Sequence, residues 1–337
     1  MSASKTLQSS QPKQRSALGQ ILSWMVVLIG AALLFLYGYA PVDWVKSSLF
    51  TPSAQLAAAE QRIDFAERGK QIFYATHPSI ENKSQFNKSC ASTERTVAIL
   101  GCYAGDNIYL YNIQNAELDG TLEVTAAHEM LHAAYQRLNY FDRKHVNELV
   151  KAEYEKIKDK PSISQLMEYY RTAEPGAELD ELHSIIGTTI LEISPTLENY
   201  YRSYFTDRAS VVALNNKYSA VFDELSARAD ELQKTIDSEG PAIANMMQVY
   251  QTDLAQLNLD IQSFNARAAS GGFSTQSEFA TARNALERRV DTMNGRRSSL
   301  NARVNNYNAM VDELNKLAVH VNKLNESING VDAPSGI

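Results

Sequence analysis

His128 and His132 lie four residues apart, with Glu129 beside the first, in the stretch Thr125-Ala-Ala-His-Glu-Met-Leu-His-Ala-Ala-Tyr135. On a helix, positions i and i+4 share a face, so both imidazoles reach one Zn²⁺ at about 2.0–2.1 Å. Glu129 then stands beside a water held at that ion. The chemistry predicted is amide hydrolysis: zinc polarises the carbonyl and brings the water's pKa toward neutrality, while Glu129 takes the proton and passes it to the leaving amine. A five-residue pattern of this kind also arises by chance, and a helix with two incidental histidines is the competing reading. The context favours the site. Flanking positions are small or apolar, no proline interrupts Leu122 to Leu138, and two β-type runs come just before.

This arrangement resembles the active-site helix of the zincin metallopeptidases. The metzincin subgroup is excluded, because it would continue with Gly at 135 and His at 138, where this chain has Tyr135 and Leu138. The gluzincins, which include the thermolysin-like enzymes, supply a Glu from a second helix in a pattern like Asn-Glu-x-x-Ser-Asp followed by a small residue. Here the stretch reads Asp180-Glu-Leu-His-Ser-Ile-Ile-Gly187, so Glu181 and Ser184 match and Gly187 would let two helices approach closely. The resemblance therefore implies Glu181 as the third ligand, with Glu178 and His183 as alternatives. Glu181 and His183 are two apart and cannot both face one ion. Asp180 stands where the family has Asn, and Ile185 where it has the acid that orients the first His; the partner of His128 must come from elsewhere. By the same resemblance, Ile108–Ile113 would be an edge strand pairing with an extended peptide. The oxyanion donor would come from His183, Tyr169, Tyr170, Tyr200, Tyr201 or Tyr204.

Several elements must position these groups. Thr96–Cys102 and Asn107–Ile113 read as strands joined by Tyr-Ala-Gly-Asp, a hairpin signal. Ser53–Phe73 reads as one helix. The 49 residues from His132 to Glu181 contain a charged, helical stretch, Phe141–Arg171, broken at Lys160-Pro161, which reads as inserted helices. Cys90 and Cys102, the only cysteines, fall on the side expected to be extracytoplasmic, where an even count favours a disulfide.

The two ends have different textures. Between Arg15 and Asp43 run 27 uncharged residues, long and apolar enough for a bilayer-spanning helix, with Trp24, Tyr37, Tyr39 and Trp44 toward its ends and Lys5, Lys13 and Arg15 before it. An uncleaved anchor with the N-terminus inside is expected, since the apolar run exceeds that of a cleaved signal peptide. From Leu286, apolar residues recur in a 4-3-4-3 spacing through Val290, Met293, Leu300, Val304, Tyr307, Val311, Leu314, Ala318 and Val321. Leu214 to Leu232 and Leu254 to Ala268 keep the same spacing, with a disturbance at Glu239-Gly240-Pro241 between them. Ser270-Gly271-Gly272 then separates two long helices in an antiparallel hairpin, with Thr275 or Ser277 free to cap the second.

The whole chain, 337 residues at net charge −7, has an ordinary globular composition that excludes collagen-like, low-complexity and disulfide-dense classes and disfavours a phosphate-binding protein. The charge is uneven: +3 over residues 1–42, −7 over 43–205 and −2 over 206–328. The expected architecture is a cytoplasmic segment (1–17), a transmembrane helix (18–40), an extracytoplasmic α+β zincin-like domain (41–205), a coiled-coil hairpin turning near 270–274 (206–328) and a disordered tail (329–337). The expected function is a single-pass cell-membrane endopeptidase with one Zn²⁺ per chain, ligands His128, His132 and Glu181, and Glu129 as general base. Its partners would be a peptide or protein substrate, the lipid bilayer, and a protein or second copy at the hairpin, with no nucleic acid. The alternative is a membrane-tethered coiled-coil scaffold or binding protein whose zincin-like domain is inactive.

Overall fold

The computed structural model describes residues 23–30, 38–90, 100–173 and 175–329. The expected membrane span is overturned: among the described residues, no helix is long and apolar enough to cross a membrane. Of that stretch, residues 23–30 form a helix (α1), Gly38 takes a left-handed φ of 55°, and a second helix, α2 (Ala40–Leu49), starts with Pro41 in its first turn. An uncharged run reports hydropathy, not helix length; the helix described within this one covers residues 23–30, and Gly38 and Pro41 mark the start of a separate helix. The bilayer partner and the single-pass cell-membrane placement rested on that span and are withdrawn with it. The expected cytoplasmic segment 1–17, and residues 18–22, 31–37 and 330–337, lie outside the described residues.

The chain divides into two compact units, residues 1–217 with 328–337, and residues 218–327. The α+β class expected for the first is also corrected. The first unit is largely helical, and its one sheet has strands of only 3, 4 and 5 residues: β1 (Ser79–Glu81), β2 (Gly101–Ala104) and β3 (Asn107–Tyr111). Their order is β1-β3-β2, with β1 parallel and β2 antiparallel to β3. The expected hairpin is present, closed by Gly105 and Asp106 at φ 58° and 64°, as a two-residue turn of the primed type requires. The central place of β3 corrects the expectation that Ile108–Ile113 is the edge strand: both of its sides are already paired, and among the described residues β2 is an edge instead. Of the expected strand Thr96–Cys102, residues 96–99 lie outside the described residues.

The single helix expected over Ser53–Phe73 is two, α3 (Ala54–Ile63) and α4 (Glu67–Ala75). Asp64 at φ 57° ends the first, and Phe65 bridges to Phe205. The helix α5 (Lys83–Cys90) covers one face of the sheet, where Phe86, Cys90 and Cys102 are buried with Tyr109 and Tyr111 against them. The expected Cys90–Cys102 disulfide is formed there. The other face, through Ile108 and Leu110, meets α6 (Thr121–Gln136), which is enclosed by α3, α4, the sheet and α9 (Glu178–Thr189). Between α6 and α9 run the expected inserted helices, α7 (Tyr140–Ile157) and α8 (Pro161–Ala173), divided at Lys160-Pro161. A short α10 (Pro195–Tyr201) follows α9.

The second unit is made from α11 (Arg208–Ala269, from residue 218) and α12 (Gln276–Ile328). The expected antiparallel pairing is present: Arg228 meets Glu313, Glu239 meets Arg303 and Asp260 meets Arg289. Leu232, Ile236, Leu257, Met293, Leu300 and Leu324 are buried along it. Gly271 turns the chain at φ 69°, and Thr275 Oγ1 accepts from the Glu278 N–H at 3.1 Å as the cap of α12. The disturbance expected at Pro241 leaves α11 unbroken in its assigned range.

Candidate metal centre

The site is assembled by two helices. α6 begins at Gly120, whose φ of 100° only glycine adopts easily and where a Cβ would lie 3.1 Å from the Leu214 carbonyl oxygen. It is rich in alanine, so neighbouring elements approach it from several sides, and Ala126, Ala127, Ala133 and Ala134 are buried. At its end Arg143 donates to the carbonyls of Tyr135 and Gln136, at 3.2 and 3.1 Å. α9 closes on α6 as Gly187 was expected to permit: a Cβ there would lie 2.4 Å from Leu131 Cδ1 and 2.9 Å from Tyr201 Cε1.

That contact brings His128, His132 and Glu181 together, with one donor atom of each inside a 4.8 Å span. The two Nε2 atoms are 3.1 Å apart; Glu181 Oε1 is 3.5 Å from His132 Nε2, and Oε2 is 3.7 Å from His128 Nε2. The carboxylate distances are too long for hydrogen bonds, and Glu181 Oε2 is buried without a partner. A tetrahedral zinc with ligands at about 2.0–2.1 Å has ligand–ligand edges of roughly 3.4 Å, so the donor set fits the ion in both chemistry and spacing. Glu178 and His183, the alternatives, are turned elsewhere. Glu178 Oε2 accepts from the Gly176 N–H at 2.8 Å, and His183, fully buried, has Nε2 2.9 Å from Tyr200 Oη.

Charge in this pocket is one-sided. Burial opposes protonation of His132, yet Glu181, Asp180 and Glu129 around it push its imidazole up to about 10. Burial likewise pushes the Glu181 carboxyl up, but the imidazoles of His132 and His128 more than offset it and hold the group below the usual range. Three acids therefore face two imidazoles in this pocket. Burial raises Glu129 above its ordinary value, and its Oε2 has no hydrogen-bond partner. His183, behind the site, is depressed to about 3 by burial and by the two other histidines, so it stays neutral.

Two residues have roles that the motif alone did not assign. Asp180 Oδ1 lies 2.8 Å from His132 Nδ1, so the residue read as a departure from the family pattern is the partner of the second histidine. A carboxylate directly before the ligand glutamate was the available signal. The hydroxyl of Tyr170, buried on α8, also helps hold the Glu181 carboxyl low. Of the other phenols, Tyr201 donates to the His183 carbonyl at 2.6 Å and Tyr200 lies 3.4 Å from Tyr204 Oη, which places these three in the packing behind α9. No protein-family model, no curated protein and no solved structure matches this chain.

Proposed function

We propose that the chain is a zinc-dependent peptidase of the gluzincin type, with His128, His132 and Glu181 as the metal-holding set and Glu129 as general base. The observation that carries this reading is the meeting of two histidines on α6 with Glu181 on α9, beside the buried Glu129, whose Oε2 has no hydrogen-bond partner. Two imidazole nitrogens and one carboxylate oxygen are a catalytic zinc set that leaves a coordination position open. When bound, zinc would polarise a carbonyl and lower the pKa of a water. Glu129, made more basic by burial, takes the proton of the attacking water and carries it to the leaving nitrogen. Asp180 holds the His132 ring so that Nε2 faces the pocket. An extended peptide would align on β2, the edge strand nearest α6, by adding a strand.

Glu129→Gln tests the reading. The variant should bind one zinc as the native protein does and lose about 10²–10⁴-fold in cleavage of an unstructured polypeptide. Native protein with stoichiometric zinc that cleaves no such polypeptide, and behaves as the variant does, would sink it.

A further inference from the structure

Gly101 is the first residue of β2, and the structure places it directly on α6. A Cβ built there would lie 2.5 Å from Thr125 Cγ2, 2.9 Å from Glu129 Cγ and 3.0 Å from Glu129 Oε1. Its φ is outside the left-handed region, so backbone conformation does not require glycine at this position; the space does. Thr125 and Glu129 are one turn apart on α6 and both face the strand. One side of the Glu129 side chain is therefore walled by the strand itself, while Oε2 is left without a bond.

We infer that Gly101 is a positioning residue for Glu129: the absent side chain lets β2 lie on α6 closely enough for strand backbone to fix the carboxylate. The pairing of β2 gives this a second consequence. Tyr111 N–H donates to the Leu100 carbonyl at 2.8 Å, and Gly101 stands opposite Leu110. In an antiparallel ladder the backbone groups alternate, so those of Leu100, Cys102 and Ala104 point to β3, and those of Gly101 and Tyr103 point away from it. The backbone amide that walls Glu129 thus belongs to a residue whose N–H and C=O are not used by the sheet. A peptide pairing with β2 at Gly101 would bring its own backbone beside the base, so one residue sets both the carboxylate and the position of the bond to be cut. The second consequence rests on the peptidase reading; the first does not.

Gly101→Ala is the test, made in the full chain. The atoms nearest a Cβ at Gly101 belong to Thr125 and Glu129 and not to His128, His132 or Glu181, so zinc should bind with unchanged stoichiometry and affinity. The new methyl should displace the flexible end of Glu129, and a crystal structure of the variant should show that carboxylate moved. With the base misplaced, kcat for a cleavable peptide should fall about 100-fold with KM little changed, since a shift of about 1 Å at a reacting group costs that much. Gly101→Ala combined with Thr125→Ser removes the methyl at 2.5 Å, keeps the pressure on Glu129 and serves if the single variant folds poorly. A merely structural role would lower the melting temperature and leave kcat of the folded protein intact. Glu129 found in its native position, or native kcat, overturns the inference. If the native protein itself cleaves nothing, the peptidase reading falls and the position of Glu129 in the variant crystal alone decides for or against Gly101.

Discussion

His132 owes its orientation to Asp180. With Oδ1 2.8 Å from Nδ1, the ring presents Nε2 to Glu181 and His128, and the negative charge makes that nitrogen a stronger donor. Asp180 and Glu181 are neighbours on the first turn of α9, so one backbone turn supplies both the carboxylate of the proposed metal set and the group that aims the opposing imidazole. Asp180→Ala should weaken zinc affinity about 10–100-fold, with Asp180→Asn, which can still accept the bond, losing less; competition with a chromophoric chelator reads both. Equal affinities in all three proteins would count against this role. Spacing alone made His128, Glu129 and His132 legible, because helical periodicity converts four residues into one face. The role of Asp180 was not legible, since the angle at which α9 crosses α6 is a tertiary property. Nor was a partner for the Nδ1 of His128: Ile185, where the family has an acid, is buried among apolar side chains, and no acid bonds that nitrogen among the described residues.

The ends of α6 are held by charge, and each end carries its own prediction. At the C-terminal end, Arg137 Nε donates to both oxygens of Asp43, at 3.0 and 3.2 Å, while its other nitrogens reach Asp106, the Tyr103 hydroxyl and the Ala133 carbonyl. Asp43, 1% exposed, also takes Arg68 at 2.8 Å, so α2 is tied to both α6 and α4. Removing one partner leaves buried charge uncompensated, and Asp43→Ala should cost about 3–5 kcal/mol in denaturant unfolding. At the other end, Arg62 and Lys217 hydrogen-bond Asp119, just before α6, and hold its carboxyl near 2. The unfolded chain therefore takes up this proton first as pH falls, so the stabilisation is complete above about pH 4 and is lost as pH approaches 2. Because the pair is solvent-exposed, the contribution is only about 0.2–1 kcal/mol. The difference in unfolding free energy between native protein and Asp119→Asn should shrink steadily as pH falls from about 4 through 2, and a difference undiminished at pH 2 would contradict it. Elements with strong periodicity, α6 and the two long helices, were legible in the sequence. The break between α3 and α4 was not, because it turns on one left-handed residue, Asp64, with no glycine or proline at the break to mark it. The edge position of β2 was not either, since strand order depends on β1, a run of three residues with no alternation to read.

At the scale of the molecule, the sequence separates a motif-bearing region from a helical rod, and misreads its N-terminal stretch because hydropathy does not report how long a helix is. The first unit stacks α9 on α6 through Gly187, yet at the point where they meet it buries one oxygen of Glu181 and one of Glu129 with no hydrogen-bond donor. That is a folded state paying for a site that a cation would complete, and the unfolded chain has no such site, so metal should act as a ligand of the native form alone. At free zinc about 100 times its dissociation constant the stabilisation is about 2.7 kcal/mol. For a unit of about 200 residues that corresponds to a rise of roughly 5–10 °C in melting temperature, reversed by a chelator. The same rise should appear in Glu129→Gln, whose three metal-holding residues are intact, and should be absent in a variant in which His132 and Glu181 are both replaced by alanine. A melting temperature indifferent to zinc in the native protein would show that the cluster holds no metal at that concentration, and both the proposed chemistry and the account of the unpaired carboxylates would fail together.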